Sequence, residues 1–175
     1  MSTTQVLLDA AGIRRTIDRL AADIARSVPA GASLGVIGIR SRGDVLAARL
    51  IEALKRHGHA NVAHGALDIT LYRDDLAHKG PDAILKKTEI DFDIEDRYII
   101  LVDDVLYTGR SVRAALNALA DLGRAIAVRL AVLVDRPGRE LPIQADFVGI
   151  RVDDVKETVN VLLRETDGQD RVDLS

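Results

Sequence analysis

LVDDVLYTGRS, Leu101 to Ser111, ends an apolar run with two adjacent acids and follows them with small, hydroxyl-bearing and cationic residues. Tyr98 to Val102 (YIILV) has the length and apolar continuity of a buried strand. Two carboxylates at its carboxyl end repel each other unless a cation or hydroxyl groups engage them. From Arg110 the spacing is helical as far as Leu122, and Gly123 stops it. Thr108, Gly109, Arg110 and Ser111 therefore open a helix, whose free N–H groups and dipole favour an anion. One loop offers acids to a sugar or a metal and donors to a phosphate. The same residues also suit an ordinary loop cap and helix start, and both readings stand at this point.

Outward from this stretch the period alternates. Ile13, Ile17, Leu20, Ile24 and Val28 recur at helical spacing, so Asp9 to Ser27 reads as an amphipathic helix closed by Pro29 and Gly31. Ser33 to Ile39 is a strand, Gly43 to His57 a helix ended by Gly58, and Val62 to Tyr72 a longer strand. Arg73 to Asp93 is charged and holds Gly80 and Pro81; its length suits a lid or binding loop. Ala127 to Val134 is a further strand, with shorter candidates at Asp146 to Ile150 and Thr158 to Leu163 before a polar tail. Strands alternating with helices predict a single α/β domain over residues 1–175, with a mainly parallel sheet covered on both faces. Ligands of such sheets lie beyond the carboxyl ends of the strands. Three polar clusters fall there: IRSRGD (Ile39 to Asp44), DDVLYTGRS (Asp103 to Ser111) and DRPGRE (Asp135 to Glu140). Arg42 in a strand-to-helix turn and an Asp135–Arg136 surface turn have structural readings as well as ligand-binding ones.

Bulk properties remove several classes of function. The 175 residues contain no cysteine, which excludes disulfides and thiolate-based metal or nucleophile chemistry. Lys and Arg total 24 against 27 Asp and Glu, a net charge of −3, so no globally basic surface seeks nucleic acid. The start of the chain has no apolar signal core, and no 18 apolar residues run together, which predicts a cytoplasmic protein with no membrane partner. His57, His59, His64 and His78 show no metal-ligand spacing. Neither a G-x-x-x-x-G-K-[ST] nor a strand-following G-x-G-x-x-G is present.

LVDDVLYTGRS resembles the signature by which type I phosphoribosyltransferases bind 5-phosphoribosyl-1-pyrophosphate (PRPP): apolar residues, two acids, then T-G-[RK]-[ST]. LDITLYRDDL (Leu67 to Leu76), VDDVLYTGRSVRAAL (Val102 to Leu116) and LAVLVDRPGRELPI (Leu130 to Ile143) are similar, in order and spacing, to the PyrR family. Its members are uracil phosphoribosyltransferases that also regulate pyrimidine operons by binding mRNA. The resemblance implies the type I phosphoribosyltransferase fold, with a mobile loop or hairpin over the site and a small hood. It implies conversion of uracil and PRPP to UMP and diphosphate. Mg²⁺ would arrive with PRPP near Asp103 and Asp104, with no ligand set of the protein's own. Asp103 and Asp104 would engage the ribose hydroxyls, and the signature from Val105, Leu106 and Tyr107 through Thr108, Gly109, Arg110 and Ser111 would bind PRPP or UMP. Ser41, Arg42 and Gly43 match the pyrophosphate loop, with Arg42 counted beside the two acids as catalytic. Arg73, Lys86 and Lys87 are loop cations able to reach the pyrophosphate on closure. Val134, Asp135 and Arg136 would border the uracil. A homodimer or larger homo-oligomer is implied.

The resemblance thins on the RNA side. Family members carry a threonine and a histidine on the first helix where this chain has Asp18 and Ala22, and a G-H-R-E-L-P-I-R run with a later G-K pair. Here the run is PGRELPIQ, and Ile150 follows Gly149. Arg19, Arg136 and Arg139 remain as basic residues, Arg19 and Arg139 being the residual RNA contacts. Loss of donors that neutralise phosphate or read bases predicts weak or absent binding to a pyr-type leader mRNA. A UMP-sensing RNA-binding regulator with little catalysis, and a transferase for another base, are the alternatives.

Overall fold

Five of the apolar runs lie side by side in the computed structural model, which describes residues 4–75, 88–154 and 156–175. The described elements are β1 (Gln5–Leu8), α1 (Ala10–Ser27), β2 (Leu34–Ile39), α2 (Gly43–Arg56), β3 (Val62–Leu67), a 3₁₀ turn (Thr70–Tyr72), β4 (Tyr98–Leu106), α3 (Arg110–Leu122), β5 (Ala127–Asp135), β6 (Phe147–Arg151), β7 (Val159–Leu162), α4 (Arg164–Asp167) and β8 (Arg171–Leu174). The main sheet is parallel throughout, in the order β3-β2-β4-β5-β6. After β2 the chain builds outward to β3, then returns to place β4 on the other side of β2. The strand order reverses between β2 and β4, which opens a crevice beyond their carboxyl ends.

Period-two alternation serves both faces of this sheet. Val36, Ile100 and Val102 pack with Ile13, Ile17, Leu20 and Ile24 of α1 and Leu46, Leu50 and Leu54 of α2. Ile37, Leu101 and Val132 face the other way, onto Val112, Ala115 and Leu119 of α3. At Gly38 a side chain has no room: a Cβ there would stand 2.3 Å from the Gly43 carbonyl and 2.4 Å from the Asp44 Cα. That approach seats the start of α2 directly over the end of β2. α1 starts on side-chain chemistry: Asp9 caps it by accepting a 2.7 Å bond from the Gly12 N–H.

β1, β8 and β7 form a separate three-stranded antiparallel sheet, the expected hood. Val161, Leu163, Val172 and Leu174 pin it to the α1–α2 side of the core. Arg49 of α2 adds a polar tie, donating from Nε to Glu165 (3.0 Å) and from Nη2 to Asp170 (2.7 Å). Among the described residues, no helix is long and apolar enough to cross a membrane.

The element boundaries correct the sequence reading in four places. The strand expected over Val62 to Tyr72 ends at Leu67, because the Asp68 carboxylate accepts from the Thr70 N–H (3.0 Å) and hydroxyl (2.6 Å) and turns the chain into the 3₁₀ segment. β4 runs on to Leu106 through both acids, with Asp103 opposite Val132 and Leu106 opposite Asp135. The polar tail contains α4 and β8, whose Asp173 is buried and accepts from Arg171 Nε at 2.6 Å. Part of the segment expected as a loop over Arg73 to Asp93 pairs with the sheet edge: Glu89 and Ala66 exchange backbone bonds of 2.8 and 2.9 Å.

Candidate active site

The switch-point crevice is floored by the two acids. Asp103 is 7 % exposed and Asp104 is half-buried. The Asp103 Oδ1 accepts from the Asp104 N–H (2.9 Å) and the Asp104 Oδ1 from the Val105 N–H (2.8 Å). Burial pushes the Asp103 carboxyl well above the ordinary carboxylate range, and the neighbouring Asp104 charge pushes it further. Burial also raises Asp104, while its hydrogen bonds and the nearby Arg42 charge pull it partly back. Two acids with raised pKa values on one strand end are under-neutralised by the protein and set to accept hydroxyls or a cation.

Beside them sits the loop after β2. A Cβ on Gly43 would lie 2.6 Å from the Val102 carbonyl and 3.3 Å from the Asp103 Cα, so only glycine lets this loop close on β4 at the acids. The Gly43 N–H bonds the Ser41 carbonyl at 2.8 Å, and the Arg40–Ser41 peptide is cis. Arg42 adopts a left-handed φ of 68°, unusual for a residue with a side chain, and so departs from the conformations that would carry it away from the crevice. Its guanidinium pairs with Asp167 of α4 at two points, Nε to Oδ2 at 3.2 Å and Nη2 to Oδ1 at 2.7 Å. The hydrogen bonds from Arg42, the Leu163 N–H and the Thr166 hydroxyl hold the Asp167 carboxyl down to about 2. Arg40 is spent elsewhere, on Asp44 at 2.9 Å.

On the other flank, Gly109 starts α3 in a left-handed conformation, φ 92°, with no side-chain cap. A Cβ there would also meet Ile143 at 3.0 Å, so close packing as well as the positive φ favours glycine at this helix start. The Thr108 hydroxyl accepts from the Arg110 N–H at 3.2 Å. Arg110 itself turns outward, bonding Glu140 (2.7 Å) and Asp74 (2.5 Å). A cavity of about 270 Å³ opens here, lined by Arg73, Asp74, Asp75, Thr108, Arg110 and Ser111. Arg73 reaches its rim with Nε and Nη2 paired to Asp75, both at 2.8 Å.

The third cluster folds onto the second. Arg136 stacks its guanidinium 4.2 Å from the centre of the Tyr107 ring, and its N–H bonds the Leu106 carbonyl at 3.1 Å. Arg139 ties the turn together, donating to Tyr107 O (2.6 Å), Ile143 O (2.7 Å) and Asp135 Oδ1 (2.8 Å). A second cavity, of about 240 Å³, is bounded by Asp135, Arg136, Pro137, Arg139, Arg151, Val152 and Asp153. Val134 lies wholly inside the core and shapes this cavity only by holding the strand end.

The structure therefore gathers Ser41, Arg42, Gly43, Asp103, Asp104 and the turn Thr108–Ser111 around one crevice, with Asp135 and Arg136 adjoining through Tyr107 and Leu106. Lys86, Lys87 and His78 lie outside the described residues. Arg19 and Arg139, read from the sequence as residual RNA contacts, both make internal hydrogen bonds. Arg139 is held as above, and Arg19 donates to the Gly149 and Val148 carbonyls. Sequence reasoning missed Asp167, Arg151 and Asp153: Asp167 reaches the site only through a contact 125 positions away. Among the described residues, no group of three or more His, Cys, Asp or Glu is placed to hold a metal. The hard oxygens of Asp103 and Asp104 suit Mg²⁺ only if a ligand and water supply the rest of its shell.

The phosphoribosyl transferase domain family matches residues 3–164. Proteins named bifunctional protein PyrR match nearly the whole chain: that of Deinococcus radiodurans is 50% identical over 96% of this chain and 92% of its own length. The chain belongs to the PyrR family of phosphoribosyltransferases. The PyrR protein of Elusimicrobium minutum is 47% identical over 97% of this chain and 96% of its own. The fold agrees with that of the hypoxanthine phosphoribosyltransferase of Trypanosoma cruzi, at a TM-score of 0.74 and 19% identity, covering 97% of this chain and 95% of that one. The type I fold, its hood and pentosyl transfer thus hold for this PyrR-family chain.

Asp103 tests the acid pair. Its folded pKa lies above the unfolded value, so the native state keeps a proton that the unfolded chain sheds. Stability is then lost as pH rises from near the ordinary carboxylate value of 3.8 toward the raised one. Asp103→Asn removes that penalty: its melting temperature at pH 7.5 rises by about 2–4 °C, as expected for ~1 kcal/mol in a chain of this size. Phosphoribosyl transfer is lost in the same variant. Thermal scans from pH 4 to 8 check this, and the gain should shrink toward pH 4.

Proposed function

We propose that this protein is a uracil phosphoribosyltransferase, converting uracil and PRPP to UMP and diphosphate. The observation that carries the reading is the meeting of the two raised-pKa acids with the Ser41–Gly43 loop and the Gly109 helix start at one switch point, in a chain of this family. Asp103 and Asp104 take the ribose 2′ and 3′ hydroxyls, and the N–H groups from Thr108 to Ser111 take the 5′-phosphate. Arg42 meets the pyrophosphate with the planar donors of its guanidinium. Uracil occupies the cavity beside Asp135 and Arg136, where main-chain donors and acceptors suit a pyrimidine-2,4-dione. The C1′–oxygen bond to pyrophosphate breaks, a bond from C1′ to uracil N1 forms, and the N1 proton is lost. Positive charge develops on the sugar as the leaving group departs, and the paired carboxylates below it stabilise that charge. Asp103 and Asp104 are the residues that would hold Mg²⁺ arriving with PRPP, which would supply neutralising charge to the diphosphate leaving group.

Arg73 lines the cavity beside Thr108, Arg110 and Ser111, where its charge would favour a bound phosphate group, and the reading assigns Lys86 and Lys87 of the same sequence segment to the diphosphate. The reading places the protein in the cytoplasm as a homo-oligomer. RNA regulation is the weaker half of the family's repertoire in this chain. Asp18 takes up Arg56 (3.4 Å) and His57 (3.2 Å), and Arg19 and Arg139 donate to main-chain oxygens, so these groups offer fewer donors to an RNA phosphate.

Incubation with PRPP, Mg²⁺ and uracil, orotate, hypoxanthine or guanine should yield UMP as the main nucleotide, read by chromatography. Asp104→Asn should lower kcat at least about 100-fold, the scale of a lost electrostatic stabiliser. Absence of turnover on every base would reduce the site to a nucleotide sensor. In a gel-retardation assay with a pyr-type leader RNA, no UMP-dependent shift is expected at micromolar protein and 150 mM salt; a tight shift that weakens steeply with salt would restore the regulatory role.

A further inference from the structure

Asp167 belongs to the four-residue helix α4 at the edge of the hood, yet its carboxylate holds the arginine of the pyrophosphate loop. We propose that Asp167 is the positioning residue for Arg42: it fixes one edge of the guanidinium so that the opposite edge faces the diphosphate of the sugar donor. This rests on the phosphoribosyl-transfer reading above.

The geometry carries the assignment. A guanidinium has five N–H donors in one plane, arranged along edges that can each grip an anion. The pair with Asp167 uses the Nε–Nη2 edge, at 3.2 and 2.7 Å, and leaves the Nη1–Nη2 edge to a second anion. Asp167 is itself fixed before it meets Arg42, since its Oδ2 accepts from the Leu163 N–H at 2.9 Å and from the Thr166 hydroxyl at 2.8 Å. The backbone side is fixed too. Arg42 sits at φ 68°, and Gly43 next to it leaves no room against the Val102 carbonyl. The long side chain is therefore held at both ends, and the rotamer freedom it would otherwise lose on binding is already lost.

The pair is not needed to anchor the hood. Arg49, one turn and more along α2, already binds the same segment through Glu165 and Asp170 on either side of Asp167. Arg42 also stands close enough to Asp104 for their charges to interact, which keeps the guanidinium beside the acids assigned to the ribose. Asp167 remains ionised at every working pH, its carboxyl being held down to about 2, so the pair does not switch with acidity in the neutral range.

The test uses two readouts. In steady-state assays of the full chain, Asp167→Asn should raise KM for PRPP about tenfold, a typical coupling for a charge-assisted pair, with KM for uracil and kcat within about twofold. Binding of inorganic pyrophosphate with Mg²⁺, measured by calorimetry, should weaken by the same factor and needs no turnover, so it stands even if the base assignment fails. In an Arg42→Ala background, Asp167→Asn should cause no further loss. Arg49→Gln serves as the structural control: it cuts the other ties to the hood, and should lower the melting temperature without moving KM for PRPP. The proposal is overturned by pyrophosphate binding that tightens in Asp167→Asn, since Asp167 would then be a competitor for Arg42. It is equally overturned by an unchanged affinity, by a loss that persists in the Arg42→Ala background, or by an Arg49→Gln variant with the same KM defect.

Discussion

The burial of two adjacent carboxyls at the end of β4 is the constraint to which the rest of the site answers. A parallel sheet covered on both faces has a dry interior, and β4 is its central strand, so acids placed there lose water that nothing in the free protein fully replaces. The main-chain N–H groups of Asp104 and Val105 offset part of the cost, and Arg42 offsets a little more at a distance. What remains is a carboxyl pair that the resting protein compensates only in part, and the proposed binding of ribose hydroxyls and a hard cation would complete that compensation. Stability is given up at the place where charge must later be stabilised.

The surrounding elements bring the complementary groups to that pair without moving far. Gly38 and Gly43 allow two closely spaced backbone contacts, one between β2 and α2 and one between the loop and β4, and these set Arg42 beside the acids. Gly109 does the same for the start of α3 on the opposite flank. The hood contributes through a single carboxylate, Asp167, while Arg49 and the apolar residues Val161, Leu163 and Val172 hold the hood itself in place. Arg139 performs a comparable task for the base side, joining the Asp135 turn to Tyr107 of the signature loop.

Much of this was legible in the residues. The alternation of apolar strands with helices marked the parallel sheet, and LVDDVLYTGRS and IRSRGD marked its functional edge, because strand ends, paired acids and glycine turns are local signals. Two of the hood's strands, β1 and β8, were not legible, since QVLL and RVDL are four residues each and stabilised by strand pairing rather than by their own pattern. Asp68 ended β3 early through a side-chain turn that competes with strand pairing. Asp167 was invisible for a different reason: its role depends on a contact with Arg42 across the whole length of the chain. The internal bonds of Arg19 and Arg139 were not legible either, because nothing local shows where a long side chain will find its carbonyl.

Calorimetric titration of PRPP with Mg²⁺ into the wild type, Asp103→Asn and Asp104→Asn measures directly whether the acid pair holds the sugar donor. Binding should weaken at least about tenfold, ~1.4 kcal/mol, in each variant while both still unfold cooperatively. An affinity equal to that of the wild type in both variants would show that the pair does not hold the ribose.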